Sequence, residues 1–519
     1  MIRIEDKEKT MLWTGLYSVL SLSLLGCTQI EDPETEQSAL TQDINCEERL
    51  EEIRGLEQNG FQEDCEIILH SQESYLEYVH CRSAVTLRVT RHASVKAIAF
   101  PYLEEVDNIY INEDKLVQCI SLPELTKAEA IYISDNDEIS YFEMHLHTVS
   151  MPKLKVISQI QIFGDIATHH LELPRLETVD DIEITNIRRV EEISFPALKS
   201  ADDIKLRNHN YDHSSRLRRM SFPSIEEMND LNISHHTRLE IIDFPSIQEL
   251  DSLSIHQTKT PELSFPNLHT INKGITITQQ LEEVTPTAVS FPELVSINYS
   301  MNIYGSDINS FLAPKLKEVD REVSIEETSI QTFELPLLET IGEETEQGLR
   351  IKNNTLLETI SMPKLQSSHD MSIRVNDSLQ TIDLPALNRA KRIFIRENHS
   401  LVHVSFLSIN TLGGARIEII DNHALEHFEF LSLEVGILEI ANNPQLFRFH
   451  LPSVEQGYLE VYSNPILQTI ELPMITDGCG KMWDNPNLNC LGTNWLGTLR
   501  RECENTCIEC NYNDDCSPE

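Results

Sequence analysis

Between Cys119 and Cys479 the chain has no cysteine, and after residue 27 it has no apolar run approaching the length that spans a bilayer. It is also poor in positive charge: Lys plus Arg number 41 against 84 Asp plus Glu, a formal net charge of -43. Such a surface repels a nucleic-acid backbone or an anionic bilayer, so nucleic-acid binding is not expected. Phosphate-cradling loops, a serine nucleophile elbow and paired CxxC motifs are missing as well. The acidic residues are scattered rather than gathered in a tail, the pattern of a solvated surface.

What is present is a phrase written again and again. "NNTLLETISMPKL" from Asn353, "VNDSLQTIDLPAL" from Val375 and "SNPILQTIELPMI" from Ser463 superpose residue on residue. The proline step recurs as "FPYL" at Phe100, "FPAL" at Phe195, "FPSI" at Phe222 and Phe244, "APKL" at Ala313 and "LPMI" at Leu472, with leucine replacing proline at "FLSI" (Phe406) and "FLSL" (Phe430). The step is about 22 residues, within the range of stacked solenoids. A chain of 519 residues with 40% hydrophobic content could by length hold several ordinary domains. Repeats overrule that count, because a solenoid lengthens along one axis without dividing.

Each unit carries short apolar pairs: "I-x-I" (Ile131 and Ile133), "L-x-x-I" (Leu379 and Ile382) and "LP-x-L-x-x-I/V". Runs this short, alternating at period two and separated by Asn, Asp and Gly, are strands and turns, not helices. Three strands per coil, each paired with its counterpart in neighbouring coils, give an all-β, right-handed parallel β-solenoid. Proline is expected to open a strand, since it cannot sit inside a ladder. Asn or Asp after "I-x-I" is expected to supply a left-handed or side-chain-capped corner.

The two ends differ from the middle. Residues 1–26, with Arg3, Lys7 and Lys9 ahead of "MLWTGLYSVLSLSLL", read as an export signal, whose start is Met1 or a later Met. "LLGC", Leu24 to Cys27, resembles the bacterial lipobox, which implies a diacylglycerol on Cys27. Thr28 after that cysteine implies, by the same resemblance, delivery to the outer membrane. Residues 27–44 then form a polar tether with no apolar period. Four cysteines follow near the start (Cys46, Cys65, Cys81, Cys119) and six near the end (Cys479, Cys490, Cys503, Cys507, Cys510, Cys516). In an exported chain two even clusters indicate disulfides at both ends. A zinc reading of "CENTCIEC" competes, but its spacing is loose. Residues 45–95 are assigned to an N-terminal cap with a helix, 96–476 to the solenoid and 477–519 to a Cys-rich C-terminal cap.

The phrase "L-x-I-x-x-N-x-x-L-x-x-I-x-x-P-x-L", over roughly residues 96–476, resembles the receptor L-domain, a leucine-rich β-helix. "CEERLEEIRGLEQNGFQEDCEIILH", from Cys46 to His70, resembles that family's amino-terminal helix and cysteine bridge, and "NPNLNCLGTNWLGTLRREC" its closing turn and helix. The resemblance implies small caps covering strand edges that would otherwise template aggregation. The chain departs from the family in its length and in placing Asp180, Asp181, Asp202 and Asp203 where Gly-Gly is usual.

Function is read from what faces outward. Steps ending at Pro152, Pro223, Pro292 and Pro363 are roughly five to seven residues longer than the rest, so a long loop would project about every 14 Å along the axis. These insertions carry Tyr141, Phe142, His209, Tyr211 and His213, candidate binding residues because aromatics on exposed turns offer rigid contact area. The outward column through the "I-x-I" strands, from Tyr110 to Glu460, is a mixed polar platform in which carboxylates meet only near the end, without the acid and base pair a glycoside hydrolase needs. Histidines at His209, His213, His235, His236 and His256 read as corner residues standing in for Asn, or as a metal or pH-sensing site. Asp181, Asp203 and Asp230, stacked at like charge, are candidate Ca2+ ligands; no other cofactor is indicated. The expectation is a non-enzymatic, lipid-anchored envelope protein for recognition or adhesion, binding a protein or glycan. Its alternatives are a secreted carbohydrate-active solenoid enzyme and a passive envelope spacer.

Overall fold

The computed structural model describes residues 46–488 and 507–508, apart from segments 57–59, 72–73, 90–94, 113–116, 135–145, 164–169, 188, 209–214, 282–285, 343–346, 406–414, 431–432, 434 and 473–476. Apolar residues at period two generate one long strand per coil, such as Thr178–Thr185 and Ser200–Arg207, and all of these join a single 24-stranded parallel sheet among the described residues. Register is a pure repeat shift: Ile182 pairs with Ile204, which pairs with Leu231, so like residues stack coil on coil. A second wall consists of three-residue strands such as Glu192–Ser194 and Thr381–Asp383, gathered in shorter parallel sheets. The solenoid is therefore all-β and parallel.

Two expectations are corrected. The "LP-x-L-x-x-I/V" and "I-x-I" segments are not separate walls, whereas "L-x-x-I" supplies the short strands of the second wall. In Thr178–Thr185 the first two are one strand kinked where Asp180 and Asp181 both turn away from the core around buried Val179 and Ile182. Between residues 296 and 374 the kink widens into a break, as between Thr340–Ile341 and Gly348–Lys352, yet both pieces stay in the main sheet, and Val435–Ala441 and Gln456–Tyr462 are again single strands. Proline closes a strand instead of opening one. The Phe195 N–H still bonds to the Ser221 carbonyl at 3.1 Å, whereas the Phe195 carbonyl accepts from Leu198 N–H at 3.2 Å, a β-turn with Pro196 at its second position. Its fixed φ suits that position and its missing N–H ends the ladder.

The core runs the length of the rod. Phe195, Phe222, Phe244, Phe265 and Phe291 stack at centroid separations between 4.9 and 6.2 Å, and the column passes through Phe311 to Phe333. Each such pair is worth about 0.5–1.5 kcal/mol beyond its area burial. Leu335, Met362 and Leu384 continue the position with aliphatic side chains, all fully buried.

At the amino end, helix Cys46–Arg54 buries Leu50 and Ile53. Cys46 bonds Cys119 across 73 residues and Cys65 bonds Cys81 across 16. Closing loops of these lengths removes unfolded-state entropy equivalent to about 4 and about 3 kcal/mol. Strands Cys65–Leu69 and Ser83–Val89 already belong to the main sheet, as does Asp477–Trp483, so the ladder extends beyond 96–476 into both cap regions. It gains a last pairing with Cys507–Ile508. Cys490, Cys503, Cys510 and Cys516 lie outside the described residues.

Candidate functional site

The outer face of the main sheet is the largest surface that the repeat organises. The middle column runs in unbroken register from Arg88 through Tyr110, Tyr132 and Gln161 to Glu439, Glu460 and Lys481. Within it Ile233 is fully buried and Asn232 half-buried on the opposite side, which fixes the inward and outward phases. Two flanking columns complete the face: one holds Asp181, Asp203 and Asp230 and, farther along, Asp370, Arg392 and Arg416. The other holds Lys352, Arg374 and Arg396, then Tyr462 and Trp483.

The chemistry of this face changes along the rod. Near its start Tyr110 and Tyr132 stack at 5.0 Å, with the Arg88 guanidinium 5.2 Å from the Tyr110 ring. The Tyr132 hydroxyl donates to Gln159 at 2.7 Å, and burial, aided by Tyr110, raises its pKa. In the acidic stretch, burial and then the neighbouring Asp203 raise the Asp181 pKa, while Lys205 pairs with Asp203 at 2.5 Å. Lys273 lies 3.5 Å from Asp230 and 3.0 Å from Asp251, and its hydrogen bond holds Asp251 below the usual carboxylate range. Lysines thus supply the counter-charge that stacked aspartates require. Among the described residues no group of three or more metal-donor side chains converges.

The candidate loop residues Tyr141, Phe142, His209, Tyr211 and His213 lie outside the described residues, as does Cys27. The histidine corner is described in part. His235 has φ of 60° and His236 is fully buried, with Nδ1 3.1 Å from the Ser215 hydroxyl. His256 sits instead at the register of Ser234, 2.8 Å from the Ser254 hydroxyl. Burial outweighs a hydrogen bond to the Leu206 backbone and lowers the His236 pKa to about 4, so its imidazole is neutral at physiological pH. Its carbonyl accepts from Leu239 N–H as the Asn354 carbonyl accepts from Leu357 N–H, which places His236 at the asparagine position of later coils.

Of the two corner roles expected, those asparagines take the side-chain cap and not the left-handed conformation. The left-handed residue is the one before: Asn353, Val375, Glu397, Asp421, Asn442, Ser463 and Asp484 have φ between 55° and 58°. The asparagine that follows points inward and is buried at 354, 376, 398, 422, 443, 464 and 485. The Asn376 amide nitrogen donates to Asn398 Oδ1 at 3.1 Å and to the Ile351 carbonyl at 3.1 Å, while Asn376 Oδ1 accepts the backbone N–H of Asn354 at 3.0 Å. The ladder satisfies backbone groups that the tight corner would otherwise leave buried and unpaired. Its spacing of 21 to 24 residues was visible in the sequence.

Sequence reasoning placed Arg350 in the outward column but missed Lys352, Arg374 and Arg396, two residues beyond the "I-x-I" centre, and Arg392 and Arg416, two before it. Strands Gly348–Lys352 to Ala415–Ile420 present Arg350, Lys352, Arg374, Arg392, Arg396 and Arg416 outward. Arg392 pairs with Asp370, and Arg350 lies 3.2 Å from Glu322. Arg396 and Arg416 both pair with Glu418, itself 2% exposed, and Arg416 reaches Glu439 at 3.5 Å. Glu418 and Glu439, which meet near the end of the middle column, are thus held by arginines. Glu439 accepts from the Tyr462 hydroxyl at 3.0 Å, and burial together with that bond pushes the Tyr462 pKa up to about 12. The Tyr462 ring stacks on Trp483 at 4.3 Å.

No protein-family model and no curated protein matches this chain. Solved structures similar to it include the Toll–Spätzle complex from Drosophila, at 11% identity and a TM-score of 0.14, covering 70% of this chain and 61% of that one. The TLR13–ssRNA13 complex is similar at 11% identity and the same TM-score, covering 82% of this chain and 80% of that one. This chain therefore spans about 61% of the Toll chain it matches, and superposition this loose carries no argument about function.

Proposed function

We propose that the protein is a non-enzymatic recognition rod, anchored to a bacterial outer membrane through lipid on Cys27, that binds a protein or glycan with the outer face of its main sheet. The observation that carries this reading is the unbroken outward register from Arg88 to Lys481, a rigid face whose chemistry varies from coil to coil while the core does not. A surface built this way suits an extended ligand, since pre-organised side chains lose little entropy on binding. The loops bearing Tyr141 and His213 belong to the same reading as a second contributor.

The full-length protein should capture a ligand in glycan-array or pull-down measurements and release no reducing sugar from it. Turnover of a captured glycan would replace the reading with the enzyme alternative. Cys27→Ser should move the protein out of the membrane fraction, because no other stretch of its sequence is apolar enough to hold it. Retention of that variant would remove the anchor from the proposal while leaving the binding face intact.

A further inference from the structure

Resting on that recognition reading, we infer that the cationic face of strands Gly348–Lys352, Asp370–Arg374, Arg392–Arg396 and Ala415–Ile420 is a docking site for an acidic polysaccharide carrying about one carboxylate or sulfate per sugar. In a chain of net charge -43 this is a local reversal of sign. The outward positions of its four coils hold six cations against two carboxylates, Asp370 and Glu418. Nearer the start of the rod the flanking column that here carries Arg392 and Arg416 carries Asp181, Asp203 and Asp230.

Two of the cations are not used by the fold. Lys352 and Arg374 are direct neighbours in register and neither has a carboxylate partner among the described residues. The Arg374 Nε is buried without a hydrogen-bond acceptor, so the fold leaves this guanidinium partly unsatisfied. Arg396 is next in the column, with its guanidinium 5.5 Å from the Phe394 ring. Farther along the same column the Tyr462 and Trp483 rings stack, offering flat apolar surface to the C–H faces of a sugar.

Spacing favours a glycan over an acidic peptide. Parallel strands lie about 4.8 Å apart, so the column offers one cation per step of that size, close to the advance of one pyranose residue. Same-side residues of an extended peptide recur at about 6.6 Å and fall out of step. The site is also a sheet face and not an edge, so a peptide gains no backbone pairing there.

The test measures binding of polygalacturonate, neutral galactan and poly-glutamate to the full-length protein at physiological salt. Polygalacturonate should bind and galactan should not. Arg374→Gln should weaken polygalacturonate about tenfold, the worth of one charge-assisted contact, and the combined Lys352→Gln, Arg374→Gln, Arg396→Gln variant should abolish it. Lys153→Gln, at an exposed pair with Glu124, serves as the control and should change nothing. Far-UV circular dichroism of each variant establishes that the solenoid is intact. If polygalacturonate fails to bind, binds the triple variant undiminished, or binds no tighter than poly-glutamate, the inference is overturned. Capture of some other ligand by the same preparation would leave the recognition reading standing; capture of nothing at all would remove both.

Discussion

Residues 178–279 and 348–485 build the same coil by different means. In the first stretch the inward corner position differs at each described coil: Ile187, His236 and Thr258, whose backbone N–H donates to Gln279 Oε1 at 2.8 Å. In the second it is asparagine from 354 to 485 among the described coils. The core is the mirror image, with stacked phenylalanines in the first stretch and mostly aliphatic residues at that position in the second. The backbone path therefore does not dictate the corner residue; the neighbouring coil's side chain does. Each ladder asparagine donates to backbone carbonyls and to the next coil's Oδ1, and Asn485 at the end still donates to the Val461 and Trp483 carbonyls, so the ladder propagates once begun, whereas the mixed corners each use a different partner.

The largest effect that would sharpen this comparison is expected in the aromatic stretch. Phe244→Ala removes a ring lying 4.9 Å from Phe222 and 6.2 Å from Phe265 and should cost about 3–5 kcal/mol. Because a solenoid couples only neighbours, hydrogen exchange should accelerate across residues 195–333 and stay unchanged across 442–485. Uniform acceleration along the rod would mean the two stretches are one cooperative unit.

Next in size is Asn398→Ala. It strands the amide of Asn376 and the backbone N–H that Asn398 accepts, at about 1–3 kcal/mol for each partner left unsatisfied. Thr258→Ala, in the mixed corner, should cost less, about 1 kcal/mol, since it loses the Gln279 amide contact while the Gln279 carbonyl still caps the backbone. Urea midpoints of the two variants compare them directly, and equal losses would erase the distinction between ladder and mixed corner.

The smallest effect at neutral pH is expected from His236→Asn, which extends the asparagine corner into the first stretch. The folded pKa of His236 is depressed to about 4 from 6.5, so the stability this group contributes is complete above 6.5 and is lost as pH falls toward and through about 4. At pH 5 that loss is on the order of 2 kcal/mol in the parent and absent in the variant. Unfolding midpoints measured from pH 7 to pH 5 should therefore diverge, with the parent falling more steeply. Parallel curves would show that another group governs acid sensitivity.

Much of this molecule was legible before its structure because a solenoid makes long-range contacts look local. Each residue packs on its counterpart one repeat away, so the step of about 22 residues encodes the register, and the period-two alternation encodes which side faces in. Ile233 inward and Asn232 outward, and the whole column from Tyr110 to Glu460, followed from that rule. The function of the proline did not follow, and the choice between the asparagine's two expected roles stayed open, because a recurrent residue announces a special position without saying which backbone group it serves. The left-handed φ at Val375, a β-branched residue, has no signature of its own: it accompanies the buried Asn376, whose amide nitrogen donates to the Arg374 carbonyl at 3.1 Å across the corner.

Composition and periodicity alone determined that the chain is a parallel β-solenoid, with cysteines confined to its ends, an acidic surface and one outward polar column. Only the tertiary structure decided that Cys46 joins Cys119 and Cys65 joins Cys81, that two of a coil's three apolar segments share one sheet, and that Lys352 and Arg374 lie side by side with no carboxylate partner among the described residues. The division has a physical reason. Burial is a property of each residue in its own strand and is written at that residue, but a pairing depends on which of several nearby partners a side chain can reach, and reach is settled only when the coils are stacked.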